Sequence, residues 1–321
     1  MLTTSTHTRP VPRTDAPAVL ALVAATACWG IGTVVTKQVL DDVAPLTLLP
    51  LQLGASCAFL AAVALAQHAP FAWTPPVRRL AALGVLNPGL AYALGLVGLT
   101  TITASLSVLL WAAEPVLILL FAVVLLRDRI PPTLAMTLAV AVAGVVLVVY
   151  EPGASGDAIG VALTLTAVGC CALYTVLTRS LLLDDASLTV VLAQQLSALT
   201  FAVVLATVVH AAGGRGWELA GLGAEAWAGA AASGVLYYGA AFWLYLAGLR
   251  RMTASVAGSF LPLIPVFGVA AGYAVGERLA GHQWVGAAVV VIATLAIAIG
   301  ASRTGRRARS EGPGPGARSR P

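Results

Sequence analysis

Apolar stretches of about 20 residues recur along almost the whole chain, separated by short segments that contain charges, Pro or Gly. A helix of that length crosses the roughly 30 Å hydrocarbon core of a bilayer, and it pairs its own backbone polar groups where water is absent. The pattern therefore predicts an all-α polytopic membrane protein with ten transmembrane helices. The predicted spans are residues 18–38, 45–66, 79–98, 101–126 and 133–150, followed by 158–178, 187–209, 227–247, 252–275 and 282–301.

The composition supports a membrane protein and gives no reason to expect a nucleic-acid partner. Of the 321 residues, 59% are hydrophobic and 10% are charged, whereas soluble domains are about 45–50% apolar and about 25% charged. The net charge of +5 arises from basic residues at the ends of the predicted spans and near the C-terminus. The expected surroundings of the chain are therefore the lipid bilayer.

The basic residues also predict the orientation of the chain. Fifteen of the 18 Lys and Arg residues flank the spans on one side, and three flank them on the other, namely Lys37, Arg215 and Arg278. Because basic residues accumulate on the cytoplasmic side, we expect a multi-pass protein of the cytoplasmic membrane with both termini in the cytoplasm. Outside the helical regions we predict a cytoplasmic segment at 1–17, an external linker at 151–157 and a disordered basic cytoplasmic tail at 302–321.

The second half of the chain repeats the first. The segment CWGIGTVVTKQVL, which begins at Cys28, resembles CCALYTVLTRSLL, which begins at Cys170. Further along, ITAS at 102–105 resembles MTAS at 252–255. Matches that extend over several spans indicate that two copies of one unit make up the protein.

Each predicted copy, at residues 18–150 and 158–301, contains five helices. Because five is odd, the second copy enters the membrane from the opposite side, which makes the pair an inverted-topology repeat. Such repeats give secondary transporters two exchangeable gates around a site near the middle of the membrane. The repeat therefore predicts transport by alternating access.

Three motifs give the chain a resemblance to a known family. They are WGIGTVVTK at 29–37, AAEPVLILLFAVVLLRDRI at 112–130 and LIPVFGVAAGYAVGERLAGHQWVGAA at 263–288. They resemble the EamA-type transporters of the drug/metabolite transporter superfamily. The first copy departs from the pattern, because Arg127-Asp128-Arg129 stands where the second copy has Gly276-Glu277-Arg278. The resemblance implies ten helices around a central cavity, transport of small metabolites that are often amino acids, and a homodimer.

The stretch LLWAAEPVLILL at 109–120 places a carboxylate inside an apolar run. Glu114 lies about 13 residues into its predicted span, hence near the middle of the membrane, where an acidic residue costs about 2.5–3.5 kcal/mol. In a continuous helix Ser107, Trp111 and Glu114 share one face. We therefore consider a role in the transport cycle, in which Glu114 binds a substrate ammonium, a proton, or each in turn.

A structural role for Glu114 is the alternative. Pro115 has no N–H and leaves the carbonyl of Trp111 without its helical partner, and a protonated Glu114 could donate to such a carbonyl. Pro115 aligns with Pro265 in the second copy, whereas Glu114 aligns with Ile264. The two prolines are therefore predicted as helix breaks of the shared scaffold, and the carboxyl group distinguishes the first copy from the second.

Other candidates lie where Gly or Pro interrupts a predicted span. Asn87-Pro88-Gly89 in the third span aligns with Tyr237-Tyr238-Gly239 in the eighth, and matched interruptions of this kind mark transporter sites. Packing between helices is the alternative for each of these residues. The candidates for the substrate cavity or for coupling are Glu114, Trp111, Ser107, Trp29, Thr33, Asn87, Tyr92, Tyr237 and Tyr238.

Lys37 ends the first predicted span on the external side. Its stem is expected to extend along the apolar surface, with its ammonium near Asp41 and Asp42. A gating or anion-binding role is the alternative.

The remaining chemistry is sparse. The four cysteines are expected to pack as small apolar side chains, and neither they nor the four histidines have the spacing of metal ligands. We expect no metal, no cofactor and no enzymatic activity, and the absence of a GxxxxGK[ST] loop argues against ATP as the energy source.

The predicted function is a secondary transporter, with export as the expected direction, for a small organic metabolite such as an amino acid or related compound. Coupling to protons through Glu114 is a hypothesis. The alternatives are a passive facilitator or channel and an intramembrane enzyme.

Overall fold

The computed structural model describes residues 16–69, 73–126, 132–149, 158–179, 188–251, 257 and 260–310. Within these residues all regular secondary structure is helical, as the apolar pattern predicts. The helices of the first half are α1 (Ala16–Val39), α2 (Pro45–Ala66), α3 (Pro75–Ala82), α4 (Ala91–Leu99), α5 (Ala104–Trp111), α6 (Glu114–Leu126) and α7 (Pro132–Val149). Those of the second half are α8 (Ala158–Arg179), α9 (Leu188–Ala211), α10 (Ala224–Gly234), α11 (Ala241–Leu249), α12 (Leu263–Ala274) and α13 (Gly281–Ser310).

Six helical segments of the described chain are long and apolar enough to cross a membrane. They are Ala16–Val39, Pro45–Ala66, Pro75–Leu99, Ala158–Thr178, Leu188–Ala211 and Ala224–Leu249, and each agrees with a predicted span to within a few residues. Shorter apolar helices occupy Ala104–Ile118, Leu263–Ala274 and Gly281–Ala293. The total of ten transmembrane helices therefore stays a prediction.

The predicted terminal and linking segments fall mostly outside the described residues. Residues 1–15, 150–157 and 311–321 are not described, and these include the predicted external linker and much of the predicted tail. At the C-terminal end, α13 continues past residue 301 to Ser310.

Two of the membrane-length segments contain irregular turns. Between α3 and α4, a 3₁₀ turn (Leu83–Val85) leads into a π-helical stretch (Leu86–Leu90), and a second π-helical stretch (Val235–Ala240) separates α10 from α11. Asn87 has an extended backbone, with φ −144° and ψ 118°, because the ring of Pro88 disfavours helical geometry in the residue before it. The irregular turns coincide with Asn87-Pro88-Gly89 and with Tyr237-Tyr238-Gly239, and π-helical turns often occur at functional sites.

The fourth predicted span is not one continuous helix. α5 ends at Trp111, a turn contains Ala112 and Ala113, and α6 begins at Glu114. Trp111 and Glu114 therefore belong to two successive helices separated by this turn, and both line one cavity. Pro115 is the second residue of α6, and Pro265 is the third residue of α12, so both prolines lie in a first helical turn, where a missing N–H is tolerated.

The two halves of the chain pack against each other reciprocally. α1 packs on α11 and α12, and α8, its counterpart in the sequence repeat, packs on α4 and α6. A Cβ at Gly84 would collide with the backbone carbonyl of Gln194, and a Cβ at the aligned Gly234 would collide with that of the aligned Gln52. In each half, therefore, a glycine allows the backbone to lie close to a glutamine backbone of the other half.

Buried glutamines connect the halves by hydrogen bonds. Gln52 Nε2 donates to Thr36 Oγ1 at 3.1 Å and to Ser233 Oγ at 2.8 Å. Gln194 Nε2 donates to the carbonyl oxygen of Leu80 at 3.2 Å. Because a buried amide without partners is costly, these bonds favour one arrangement of the halves.

Candidate substrate cavity

A cavity of about 290 Å³ lies between residues of the two halves, close to the lower end of the range for small-molecule sites, about 300–1,000 Å³. The first half contributes Trp29, Thr33, Asn87, Tyr92, Val108, Trp111, Ala112, Glu114, Pro115 and Ile118. The second half contributes Cys171, Tyr174, Thr175, Tyr237, Phe242, Tyr245, Leu261, Pro262, Ile264 and Pro265. Seven of the candidate residues thus lie around one space.

The carboxyl group of Glu114 meets α8, in the second half of the chain. The Sγ–H of Cys171 donates to Oε1 of Glu114 at 3.2 Å, and Thr175 also forms a hydrogen bond with this carboxyl group. Cys171 and Thr175 are separated by four positions, so α8 presents both side chains on one face. These contacts join Glu114 to a neighbouring helix. Because α6 begins at Glu114, Pro115 lies in the first turn of the helix, where its missing N–H needs no acceptor.

Aromatic rings form much of the cavity wall. Tyr92 stacks on Trp111 with ring centroids 5.3 Å apart, and it makes an edge contact with Tyr237 at 5.5 Å. On another part of the wall, Trp29 makes an edge contact with Phe242 at 5.2 Å and lies 5.6 Å from Tyr245. Mutual packing of the rings holds their faces and edges in fixed positions around the cavity.

Asn87 supplies a polar group that the described protein atoms leave unpaired. The residue is 7% exposed, and its Oδ1 has no hydrogen-bond partner among the described residues. The extended backbone at Asn87 interrupts the helix at this point, and the residue lines the cavity. A buried acceptor without a partner is costly, so a ligand donor at this position would be stabilising.

Thr33 and Tyr237 form a further polar contact at the cavity. Thr33 Oγ1 donates to the carbonyl of Trp29, one turn earlier in α1, at 3.0 Å. Tyr237 hydrogen-bonds with Thr33 and with Tyr92. The hydroxyl groups of this part of the wall therefore already have partners within the protein.

Ser107 and Tyr238 do not line the main cavity. They lie instead, together with Thr36, around a separate space of about 20 Å³, which Tyr92, Trp111 and Tyr237 also border. This small space has about the volume of a single water-sized probe.

Lys37 and Glu277 hold the short connection between α4 and α5. Lys37 Nζ donates to the carbonyl oxygens of Leu99 at 2.8 Å and Thr100 at 3.2 Å. It thereby satisfies carbonyls at a helix C-terminus, a role that was not among those expected for Lys37. The Glu277 carboxylate accepts from the N–H groups of Ala104 at 2.7 Å and Ser105 at 2.8 Å, at the N-terminus of the next helix.

Comparison with known proteins identifies the family. A model of the EamA-like transporter family matches residues 16–150 and matches again at residues 158–299, so the two matches account for most of the chain. The chain belongs to the EamA-like transporter family. It is therefore a multi-pass membrane protein of the drug/metabolite transporter superfamily.

Solved structures also resemble this EamA protein. One, described only as a crystal structure of a protein, superposes with a TM-score of 0.63 over 91% of this chain and 99% of that chain. The two sequences are 19% identical, so the likeness concerns the fold alone. No curated protein matches the chain.

Sequence reasoning missed the contribution of α8 to this EamA cavity. Cys171 was expected to pack as an apolar side chain, which is wrong because it donates to Glu114. The repeat carried a usable signal, since Cys171 aligns with Trp29 and Thr175 aligns with Thr33. Among the described residues no group of three or more His, Cys, Asp or Glu side chains could hold a metal ion.

Proposed function

We propose that this EamA-family protein is a secondary transporter that exports a small organic metabolite by alternating access through the cavity. The observation that carries the proposal is a cavity built by both halves of a member of a transporter family, with a carboxylate in its wall. Rocking of one half against the other would expose such a cavity to each side of the membrane in turn. Since no GxxxxGK[ST] loop occurs in the sequence, an ion or substrate gradient supplies the energy.

The proposed architecture is ten transmembrane helices in two five-helix repeats of inverted topology, with both termini in the cytoplasm. The distribution of Lys and Arg residues supports this orientation. Reciprocal packing of α1 on α11 and α12, and of α8 on α4 and α6, supports a two-fold relation between the halves. A homodimer in the cytoplasmic membrane is part of the same proposal.

We also propose that Glu114 couples transport to protons by releasing a proton when substrate binds. Its position in the cavity wall and its contact with Cys171 support this role. Among the described residues, the other titratable side chains that line the cavity are Cys171 and Tyr174 on α8, Tyr92 on α4, Tyr237 before α11, and Tyr245 on α11. Among these groups a carboxyl is the one that ordinarily exchanges protons between pH 4 and 8, because unperturbed Tyr and Cys have pKa values near 10 and 8.5.

Counterflow and gradient-driven transport in proteoliposomes test the proposal. The labelled probe would be chosen by a thermal-stability screen of the purified protein against amino acids, sugars, nucleosides and organic amines. We expect internal unlabelled probe to accelerate uptake, and Glu114→Gln to remove the response to a pH gradient. Glu225→Gln, at an exposed position in α10, is the matched control.

Two results would contradict parts of the proposal. Uptake that does not respond to internal probe would indicate a passive facilitator instead of a carrier. Undiminished pH-gradient-driven uptake in the Glu114→Gln variant would exclude coupling through this residue. Export would appear as accumulation in inside-out membrane vesicles, and its absence there would contradict the proposed direction.

A further inference from the structure

We infer that the cavity binds small primary or secondary organic amines with an apolar body and rejects compounds that carry a carboxylate, free amino acids included. The inference rests on the proposed function in one respect, namely that the cavity is where the transported compound binds. The charge of the cavity wall, its aromatic rings and its unpaired polar atom each restrict which small metabolites can bind.

The charge of the cavity wall favours a cation. Among the described lining residues Glu114 is the one acidic side chain, and none is Lys, Arg or His. Lys37 donates to the carbonyls of Leu99 and Thr100, so its ammonium already has acceptors outside the cavity. A ligand carboxylate would therefore enter a poorly solvated space without a basic partner, which is strongly unfavourable, whereas an amine can pair with Glu114 once that carboxyl group has released its proton.

The helix ends at the cavity do not reverse this preference. A helix N-terminus ordinarily attracts an anion, and both α6 and α12 begin at the cavity. However, the first residue of α6 is Glu114 itself, so this helix end already carries a carboxylate. The N-terminus of α12 offers only about half a unit of positive charge, so the described wall lacks the full positive charge that would neutralise a substrate carboxylate.

The aromatic wall suits the same cation. Trp29, in contact with Phe242 and Tyr245, and Trp111, stacked on Tyr92, all line the cavity. Indole and phenol rings attract ammonium groups to their faces and also pack against apolar groups. An amine with an apolar or aromatic body would therefore satisfy both the rings and the carboxylate.

Asn87 distinguishes an N–H-bearing amine from a quaternary one. Its buried Oδ1 has no partner among the described residues, and the residue lines the cavity that contains Glu114. An ammonium with two or more N–H groups could donate to a carboxylate and to an amide oxygen together. A quaternary ammonium has no N–H and would leave Oδ1 unpaired.

Binding to the purified full-length protein in detergent tests this inference without requiring transport. Calorimetry would compare four probes with one common ring: phenethylamine, phenylalanine amide, phenylalanine and 3-phenylpropionate. We expect both carboxylate-free amines to bind at least about tenfold more tightly than phenylalanine, and 3-phenylpropionate not to bind, because a carboxylate buried without a basic partner is strongly disfavoured. N,N,N-trimethylphenethylammonium should bind more weakly than phenethylamine.

Variants test the role of the carboxylate. Glu114→Gln should weaken phenethylamine binding by at least about tenfold, since it removes a charge-assisted hydrogen bond, whereas the control Glu225→Gln should leave it unchanged. Phenylalanine binding as tightly as its amide would overturn the inference, and so would a failure of both amines to bind the unmodified protein. Either result would leave alternating access to be judged by counterflow, which is measured separately.

Discussion

At the scale of single residues, substitutions of Cys171 can separate its hydrogen bond to Glu114 from the volume that its side chain fills. Cys171→Ser keeps a donor, whereas Cys171→Val keeps the bulk and removes the donor. We expect Cys171→Val to weaken phenethylamine binding by about fivefold, because it removes a donor that stabilises the Glu114 carboxylate and a typical hydrogen bond contributes about 0.5–1.5 kcal/mol. Cys171→Ser keeps a donor stronger than S–H and should bind at least as tightly as the parent.

Calorimetry on the purified variants measures this difference. Cys57→Val is the matched control, because Cys57 is buried in α2 and does not line the cavity. If the Val and Ser variants of Cys171 bound the amine equally, the sulfhydryl would be acting only as a packing group.

The sequence could predict part of the cavity at this scale. Glu114 was prominent because carboxylates are rare in membrane spans, and Asn87 was prominent because a Pro and a Gly follow it. Cys171 looked like ordinary apolar packing, since nothing in its local sequence distinguishes a buried thiol that donates from one that only fills space. Its role depends on α8 crossing next to the start of α6, which is a tertiary fact.

At the scale of helices, the charged side chains that hold the connection between α4 and α5 make a stability prediction. Glu277→Ala removes both acceptors from the N–H groups of Ala104 and Ser105. We expect a loss of about 1–2 kcal/mol in the free energy of unfolding, the usual effect of losing a helix N-cap. Glu277→Gln keeps an acceptor oxygen, so its loss should be smaller.

Thermal unfolding in detergent compares these variants with a surface control. Glu218 forms an exposed ion pair with Arg215 at 2.6 Å, and exposed pairs contribute little, so Glu218→Ala should not change the unfolding temperature. Equal unfolding temperatures for Glu277→Ala and the parent protein would show that the cap does not stabilise the fold.

Helix positions were easier to predict than helix interruptions. The long apolar stretches gave the membrane-length segments closely, because length and hydropathy are properties of the local sequence. The sequence Asn87-Pro88-Gly89 also predicted the position of an irregular turn, which the structure places at Leu86–Leu90. A helix break was predicted at Pro115, and the turn lies just before it, at Ala112–Ala113. Its exact position could not be predicted, since Ala favours helix.

At the scale of the whole molecule, the close approach of the two halves predicts matched effects at matched glycines. Gly84→Ala and Gly234→Ala each place a Cβ against a backbone carbonyl of the other half. Overpacking of this kind costs about 1–3 kcal/mol or more, and we expect the two losses to agree within about 1 kcal/mol on that scale. Gly54→Ala is the control, because a Cβ there meets nothing within 4 Å; similar losses at all three positions would contradict the proposed reciprocity.

The inverted topology predicts that equivalent points of the two halves face opposite sides of the membrane. Gln67 directly follows α2, and Ala212 directly follows α9, its counterpart in the repeat. With five spans in each copy, an impermeant maleimide added to intact cells should label Ala212→Cys and should label Gln67→Cys only after the cells are opened. The parent chain is the control, because its cysteines are buried or half-buried. Two repeats of parallel topology would place both positions on one side and give them the same labelling, so a shared pattern would exclude the inverted arrangement.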